Sequence, residues 1–257
     1  MIEVKLNNLS YNFAFGENQK KKVLSNISLN IRSGEQVAII GSSGAGKTSL
    51  LKAIIFANRP TEGSILFSGI DPWKLTGGAR HNLRSKLCYV PQDPPMPPRQ
   101  RVVHSVIAGK LPSMGLVESF LSLIYPKFVK SAYKALEEFN LETKLYERVD
   151  KLSGGERQRI SIARALMSEA SLWAVDEPLS ALDPDSAETT MSVLKEHASA
   201  RGVTFICTLH QVNMALKFFP RIIGIQDGKI FFDSPIAEIG KPPPSILPIK
   251  VISGFNL

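Results

Sequence analysis

Short apolar runs alternate along the chain with stretches of helical periodicity. The clearest runs are almost entirely apolar or small, which is typical of strands covered by helices on both faces. Because such alternation of strands and helices is typical of crossover connections, the pattern predicts an α/β fold with a mainly parallel sheet. The predicted strands are Gln36–Ile40, Leu87–Val90, 172–175 and 204–208.

Two further patterns lie in the C-terminal half. A helical pattern runs from Pro184 to Gly202, where glycine is placed to end the helix. The strand-like runs 222–226 and 229–232 flank an Asp-Gly pair at 227–228, which predicts a β-hairpin with a two-residue turn. The apolar residues that share one face of the predicted helix are Ala187, Met191, Leu194 and Ala198.

The middle of the chain differs from the rest. From 94 to 150 there is no convincing strand, whereas 131–139 has helical periodicity. Prolines at the start of this segment cannot continue a helix or a central strand, so they mark its entrance. We predict one domain with a mostly helical insertion and a C-terminal tail, with these bounds: domain 1–240, insertion at about 94–158, tail 241–257.

Composition narrows the class of protein. Of 257 residues, 44% are hydrophobic and 21% are charged, which excludes wholesale disorder and a collagen-like repeat. The two cysteines, Cys88 and Cys207, lie too far apart for a disulfide framework and indicate a reducing compartment. No run is apolar enough to predict a membrane span, and the first residues alternate as in a strand. The net charge of +8 alone leaves nucleic acid, an anionic membrane and mere solubility open.

A glycine-rich run between the predicted strand Gln36–Ile40 and an apolar helical pattern has the spacing of a P-loop. Its glycines let backbone N–H groups curl around phosphate oxygens, and the helix N-terminus adds partial positive charge. Lys47 supplies a full charge for the outer phosphates, and the Thr48 hydroxyl can bind Mg²⁺. The predicted nucleotide-binding residues are Gly41, Ser42, Ser43, Gly44, Ala45, Gly46, Lys47, Thr48 and Ser49.

Two acidic residues follow the predicted strand 172–175. Asp176, at the end of the strand, suits coordination of the same Mg²⁺, and Glu177 is free to accept a proton from an attacking water. A P-loop alone does not choose between kinases, GTPases and transport ATPases. The acidic pair narrows the choice toward nucleotide hydrolysis.

A third motif precedes the acids: Leu152-Ser153-Gly154-Gly155-Glu156, followed by Arg157-Gln158-Arg159. The Ser153 hydroxyl and the unshielded N–H groups of the two glycines predict a second anion-binding helix terminus. With these motifs, the sequence resembles the ATP-binding subunits of ABC transporters over roughly its first 240 residues. The resemblance implies a P-loop (RecA-like) ATPase core with an N-terminal antiparallel β region and an inserted α-helical subdomain.

The resemblance also implies roles for single residues. Gln92 corresponds to the glutamine that touches Mg²⁺ and the attacking water, at the hinge into the helical subdomain. His210 resembles the switch histidine that contacts the γ-phosphate and orients Glu177, and 180–183 resembles the loop that crosses the dimer interface. The implied catalytic residues are Glu177, His210 and Gln92, the metal ligands Thr48, Gln92 and Asp176, and the ATP-contacting signature residues Ser153, Gly154, Gly155 and Glu156.

An aromatic ring upstream of the P-loop usually stacks on adenine in this family. Phe13 aligns best with that position, and Tyr11 is the alternative. Either ring offers a face to the base, so the exchange of one for the other matters little for stacking.

The resemblance implies partners and a location as well. It implies a head-to-tail homodimer that binds ATP and Mg²⁺ at two shared sites, with membrane permease subunits and a periplasmic substrate-binding protein. The implied location is peripheral, on the cytoplasmic face of the inner membrane. The runs 209–212 and 221–228 resemble the phosphonate-importer branch, so the expected cargo is phosphonate or a related phosphorus oxyanion.

Two alternatives remain open at this point. One is an ABC ATPase of an exporter, or of an importer for another solute, because substrate choice lies in other subunits. The other is a soluble ABC ATPase that acts on DNA, RNA or ribosomes. The charge of +8 favours that second alternative, but the run Lys20-Lys21-Lys22 is the one basic cluster in the sequence. We therefore expect no nucleic acid partner.

Overall fold

The computed structural model describes residues 1–15, 19–124 and 127–239. Strands and helices alternate through most of this chain, as the apolar pattern predicts. The strands are β1 Val4–Phe15, β2 Gln19–Ile31, β3 Gln36–Ile40, β4 Glu62–Phe67, β5 Leu87–Val90, β6 Leu172–Asp176, β7 Thr204–Leu209, β8 Arg221–Gln226 and β9 Lys229–Pro235. The α-helices are α1 Lys47–Ile54, α2 Gly77–Arg84, α3 Val102–Ile107, α4 Leu116–Ile124, α5 Val129–Glu137, α6 Gly154–Leu166, α7 Pro184–Arg201, α8 Val212–Phe218 and α9 Ile236–Ile239.

The main sheet has six strands in the order β5-β6-β7-β3-β8-β9. Strands β5, β6, β7, β3 and β8 are parallel to their neighbours, and β9 returns antiparallel to β8. All four strands predicted for the parallel sheet are confirmed; β6 and β7 each extend one residue farther than the pattern indicated. A second, antiparallel sheet has the order β2-β1-β4 and confirms the N-terminal β region.

The main sheet separates two apolar cores, because its side chains point alternately to its two faces. Trp173 and Phe205 lie on one face, with their rings 6.4 Å apart, and pack into the core formed with α3, α5, α6 and α7. Ile39 and Ala174 lie on the other face and pack with α1 and the antiparallel sheet. The sheet is therefore covered on both sides, and polar side chains of the central strands reach solvent chiefly at the strand ends.

The segment between β5 and β6 is helical. Within the described residues it contains α3, α4, α5 and α6, with no strand and a single isolated bridge between Arg101 and Arg148. The predicted helix 131–139 is observed as α5, which begins and ends two residues earlier. Phe139 is also buried, because it continues the buried face of Ala132 and Leu136 in a turn where its N–H donates to the carbonyl oxygen of Leu136 at 3.0 Å. The chain then reverses at Asn140, which has φ 54°. The bounds of an inserted subdomain at 94–158 stay a prediction.

The remaining sequence patterns are found where they were expected. Helix α7 ends at Gly202, which has φ 63°. In the hairpin between β8 and β9, Asp227 and Gly228 both have positive φ, 48° and 70°, as a tight two-residue turn requires. A Cβ at Gly228 would lie 2.2 Å from the carbonyl oxygen of Val23, so only glycine fits.

No helix in the described part of the chain combines the length and the hydropathy needed to cross a bilayer. The predicted tail, 241–257, lies outside the described residues.

Candidate functional site

The parallel topology brings the separate sequence motifs to one edge of the main sheet. The glycine-rich loop follows β3, Gln92 follows β5, the two acids lie at the end of β6, and His210 follows β7. Because these four strands run in the same direction, their carboxyl ends share an edge. Strand β7 lies between β3 and β6, so His210 stands between the loop and the acids.

The glycine-rich loop has the backbone of a phosphate cradle. Gly46 has φ 108° and precedes α1, which has no side-chain cap at its N-terminus. The N–H groups of the first turn, including those of Thr48 and Ser49, are therefore left for an external acceptor. A Cβ at Gly41 would lie 2.4 Å from the carbonyl oxygen of Ile225, which excludes any larger residue there. The exposed part of the loop consists of Ser42, Ser43 and Gly44.

The turn of the C-terminal hairpin supports this loop. The N–H of Gly228 donates to the carbonyl oxygen of Ala45 at 2.9 Å, and the N–H of Ser25 donates to the carbonyl oxygen of Gly228 at 2.8 Å. Ala45 is buried against the same core as α1. The loop is therefore held by a backbone hydrogen bond to an element that lies about 180 residues away in sequence.

Lys47 is the centre of the charged cluster. Its side chain is 4% exposed, and its ammonium lies 3.3 Å from the Glu177 carboxylate. It also donates to the carbonyl oxygens of Gly41 and Ser42, at 2.9 and 3.2 Å. These contacts compensate the charge of a lysine that is otherwise buried.

His210 completes the cluster. Its Nε2–H donates to the Glu177 carboxylate at 2.7 Å, and Lys47 Nζ reaches its Nδ1 at 3.5 Å. Both contacts fit an imidazole whose proton is on Nε2. The histidine side chain is 45% exposed, whereas that of Glu177 is 8% exposed. The histidine side chain therefore lies between the buried Glu177 carboxylate and solvent.

Asp176 is buried and is held by two hydroxyl groups. Thr208 Oγ1 donates to one carboxylate oxygen at 2.7 Å, and Tyr89 Oη donates to the other at 3.2 Å. Burial, and then the charge of Asp176, raise the pKa of Tyr89, so the phenol stays a neutral donor. The N–H of Glu177 in turn donates to Thr208 Oγ1 at 3.0 Å.

Sequence reasoning missed Thr208 and Tyr89. Thr208 is the strand partner of Asp176 in the β6–β7 register, and Tyr89 lies on β5 next to β6. The signal was present, since both are hydroxyl-bearing residues within two positions of a strand end that faces the predicted acids. Finding them required the strand order, which the apolar pattern does not contain.

Gln92 is not brought into this cluster. The Gln92 side chain is exposed, and among the described residues it makes no hydrogen bond to either acid. The side chain of Phe13 lies outside the described part of the structure. Tyr11, the alternative stacking residue, is buried in the core beneath the antiparallel sheet, and its pKa is raised by that burial. The stacking role of Phe13 stays a prediction.

The signature run forms the N-terminus of α6. Ser153 Oγ accepts from the N–H of Glu156 at 3.2 Å, and the Glu156 carboxylate accepts from the N–H of Ser153 at 2.7 Å. This is a capping box, and the hydrogen bond from the Ser153 backbone is the main reason that the pKa of Glu156 is lowered. Gly154 and Gly155 face the 180–183 loop, where a Cβ on Gly155 would lie 2.9 Å from the carbonyl oxygen of Ala181.

Chemically, the edge offers a phosphate cradle, a buried ammonium and two buried carboxylates. The signature offers a separate helix terminus with exposed N–H groups. This combination is suited to bind the phosphates of a nucleotide and to present a carboxylate beside them.

Comparison with known proteins agrees with that chemistry. The sequence pattern of the family described as ABC transporter matches residues 24–180. The phosphonates import ATP-binding protein PhnC 2 of Albidiferax ferrireducens is 49% identical over 238 residues, which cover 93% of this chain and 86% of that protein. The corresponding PhnC of a Polaromonas species is 48% identical with the same coverage. PhnC 1 of Pseudomonas aeruginosa is 46% identical over 86% of this chain and 83% of its own length.

Solved structures with a similar fold are also ATP-binding cassettes. The dimeric post-hydrolysis structure of an ATP-binding cassette bound to ADP and Pi has a TM-score of 0.77 and 30% identity, covering 91% of this chain and 98% of that one. A second dimeric bacterial ABC transporter cassette also has a TM-score of 0.77, with 29% identity. The chain thus belongs to the ABC transporter family, as an ATP-binding and ATP-hydrolysing subunit.

Proposed function

We propose that this ATPase powers the import of a phosphonate, or of a related phosphorus oxyanion, through a membrane permease. The cargo is supported by the named function of relatives that are 46–49% identical over most of the chain. The catalytic part of the proposal rests on one observation, the buried contact of Lys47, Glu177 and His210 at the carboxyl edge of the sheet.

ATP binds in the proposal with its phosphates on the loop 41–49. The free N–H groups at the start of α1 donate to the phosphate oxygens, and Lys47 moves from Glu177 to the outer phosphates. Its ammonium already lies within 3.2 Å of two carbonyl oxygens of the loop, so the movement is short. Phe13 is assigned to stack on adenine.

The oxygen donors at the site fit Mg²⁺. Thr48 and Asp176 supply a hydroxyl and a carboxylate, and Mg²⁺ is usually held by one or two carboxylates together with substrate phosphates. The described residues contain no cluster of three or more His, Cys, Asp or Glu that would hold a metal without the nucleotide. We assign Thr48, Asp176 and Gln92 to Mg²⁺, which when bound neutralises charge on the phosphates.

Hydrolysis requires one proton acceptor. The oxygen of a water bonds to the γ-phosphorus while the bond from that phosphorus to the bridging oxygen breaks, so that ADP leaves and inorganic phosphate forms. Glu177 accepts the proton of the water, and the Nε2–H of His210 fixes the carboxylate in place. Most of the rate enhancement comes from positioning and from charge stabilisation by Lys47.

A homodimer completes each site in this proposal. The signature residues Ser153, Gly154, Gly155 and Glu156 of one copy close on the ATP held by the other, and the dimeric form of the two solved cassettes supports this arrangement. Movement passes through the helical segment 94–158 to the permease. A periplasmic binding protein delivers the cargo, and the ATPase lies on the cytoplasmic face of the inner membrane.

The proposal is tested by reconstituting the chain with its permease in liposomes and measuring ATP hydrolysis. Addition of a binding protein loaded with a phosphonate should raise the rate, whereas the unloaded binding protein should raise it less. If no phosphonate, phosphite or phosphate stimulates hydrolysis, the assigned cargo is wrong.

A further inference from the structure

Thr208 connects the two acids of the site through a single hydroxyl group. It lies near the carboxyl end of β7, is fully buried, and is the register partner of Asp176 on β6. Its hydroxyl donates to Asp176 at 2.7 Å and accepts from the N–H of Glu177 at 3.0 Å. Donor and acceptor functions of the hydroxyl are thus both used, each on a different acid.

The backbone at Glu177 explains why such a connection is needed. Glu177 has φ 46°, a left-handed conformation that a residue with a Cβ adopts at an energetic cost. Its N–H is shared between the backbone carbonyl oxygen of Thr208 at 3.2 Å and the Thr208 hydroxyl at 3.0 Å. In this conformation the Glu177 carboxylate meets both Lys47 and His210.

Tyr89 holds the other oxygen of Asp176 at 3.2 Å. Asp176 therefore has one oxygen fixed by β7 and the other by β5, the two strands that flank β6. Unlike the Tyr89 hydroxyl, the Thr208 hydroxyl also contacts Glu177, through the backbone N–H of that residue. A change at Thr208 is therefore expected to disturb both acids together.

We infer that Thr208 is a positioning residue for ATP hydrolysis, which sets the orientation of Asp176 and the backbone of Glu177 as one unit. This inference rests on the proposed function of those two acids. Thr208 does not contact the reacting atoms in this role; it acts through the two carboxylates. Valine has the same shape as threonine but can neither donate nor accept, so Thr208→Val removes this role with little change in packing.

The chain offers a matched control on the same strand. Thr204 is fully buried, and its hydroxyl also makes one donor and one acceptor contact, to the carbonyl oxygen of Ile2 at 2.7 Å and from the N–H of Gly34 at 2.9 Å. It lies at the opposite edge of the sheet from the acids. Thr204→Val therefore removes an equivalent hydroxyl and reports the purely structural cost.

The experiment measures kcat, the Mg²⁺ concentration for half-maximal hydrolysis, and ATP binding in EDTA. Thr208→Val should lower kcat about 10- to 100-fold and raise the Mg²⁺ requirement, because supporting residues of this kind carry effects of that size. ATP binding in EDTA should stay unchanged, and Thr208→Ser should restore activity. Thr204→Val should keep the wild-type kcat and Mg²⁺ requirement.

Equal kcat and Mg²⁺ requirements for Thr208→Val and Thr204→Val would overturn the inference. If Thr208→Val does not fold, Thr208→Ala, which needs no extra space, is compared with Thr204→Ala by the same measurements. Glu177→Gln, assayed in parallel, distinguishes a failure of the proposed function of the acids from a failure of the role of Thr208. If that variant hydrolyses ATP normally, the proposed role of the acids fails; if it is inactive while Thr208→Val is normal, only the role of Thr208 fails.

Discussion

The Lys47 ammonium and the Glu177 carboxylate lie 3.3 Å apart, and both side chains are more than nine-tenths buried. The residue that we assign to the phosphates is thus paired with the residue that we assign to the water. In the proposed mechanism, the phosphates take over Lys47, and Glu177 leaves the ion pair while keeping its hydrogen bond to His210. We propose that this exchange of partners couples ATP binding to hydrolysis.

Replacing Glu177 by glutamine should separate ATP binding from hydrolysis. Glutamine cannot accept the proton of the water, so we expect a loss of about 10²- to 10⁴-fold in hydrolysis rate. ATP affinity should be unchanged or higher, because Lys47 no longer has a competing anion. Measurements of single-turnover rate and of ATP binding by equilibrium titration test this expectation, and a variant with a normal rate would disprove the role of Glu177.

Replacing Lys47 by methionine should destabilise the nucleotide-free protein. The change leaves the Glu177 carboxylate buried without its cation, and breaking a buried pair costs about 3–5 kcal/mol. The double variant Lys47→Met/Glu177→Gln should recover most of that loss, because the uncompensated charge is removed as well. The free energies of unfolding in urea should show this recovery; if the double variant is as unstable as Lys47→Met, the ion pair does not account for the loss.

Gly155 and Gly154 should respond differently to alanine. At Gly155 the new Cβ would lie 2.9 Å from the carbonyl oxygen of Ala181, whereas at Gly154 the nearest atom lies at 3.9 Å. Gly155→Ala should therefore cost about 1–3 kcal/mol of stability by overpacking. Gly154→Ala is the control and should be neutral or stabilising, by up to about 1 kcal/mol, because alanine favours the helix. Similar thermal stabilities of the two variants would argue against close contact of the signature with the 180–183 loop.

The capping box at α6 should make stability depend on pH. The pKa of Glu156 is lowered in the folded protein, chiefly by the N–H of Ser153. Its stabilising contribution is therefore complete above the pKa of the unfolded chain, about 4.3, and is lost as pH falls through the lower folded value. Glutamine keeps a hydrogen-bond acceptor at this position but not the charge, so Glu156→Gln should be less stable than wild type by about 0.3–1 kcal/mol at neutral pH. That difference should shrink in acid.

The measurement is urea unfolding of both proteins between neutral pH and pH values below the pKa of Glu156. Glu137→Gln, on the exposed face of α5, is the control for a general loss of one negative charge. If the difference between wild type and Glu156→Gln is the same at every pH, the charged form of Glu156 does not carry the cap.

The sequence predicted the strands and the turn around the site better than the side-chain contacts within it. The four parallel strands and the Asp227–Gly228 turn were predicted because burial on both faces and positive φ leave local signatures. Helix α5 ends two residues before the periodic pattern does, because the chain leaves the helix in a turn at Asn140, although Phe139 in that turn still continues the buried face.

The contacts within the site depend on strand order. Lys47 and Glu177 are 130 positions apart, and the hydroxyl of Thr208 reaches Asp176 only because β7 lies beside β6. Strand β4 was also missed, since its pattern of partly exposed residues gives no continuous apolar run.

Uptake by reconstituted transporter tests the central claim most directly. The chain, its permease and its binding protein are placed in proteoliposomes with ATP on the side of the ATPase, and the entry of radiolabelled phosphonate is measured. We predict uptake with the wild-type chain and none with Glu177→Gln, which still binds ATP. Uptake by Glu177→Gln at the wild-type rate, or wild-type ATP hydrolysis without uptake of any phosphorus oxyanion, would contradict the account.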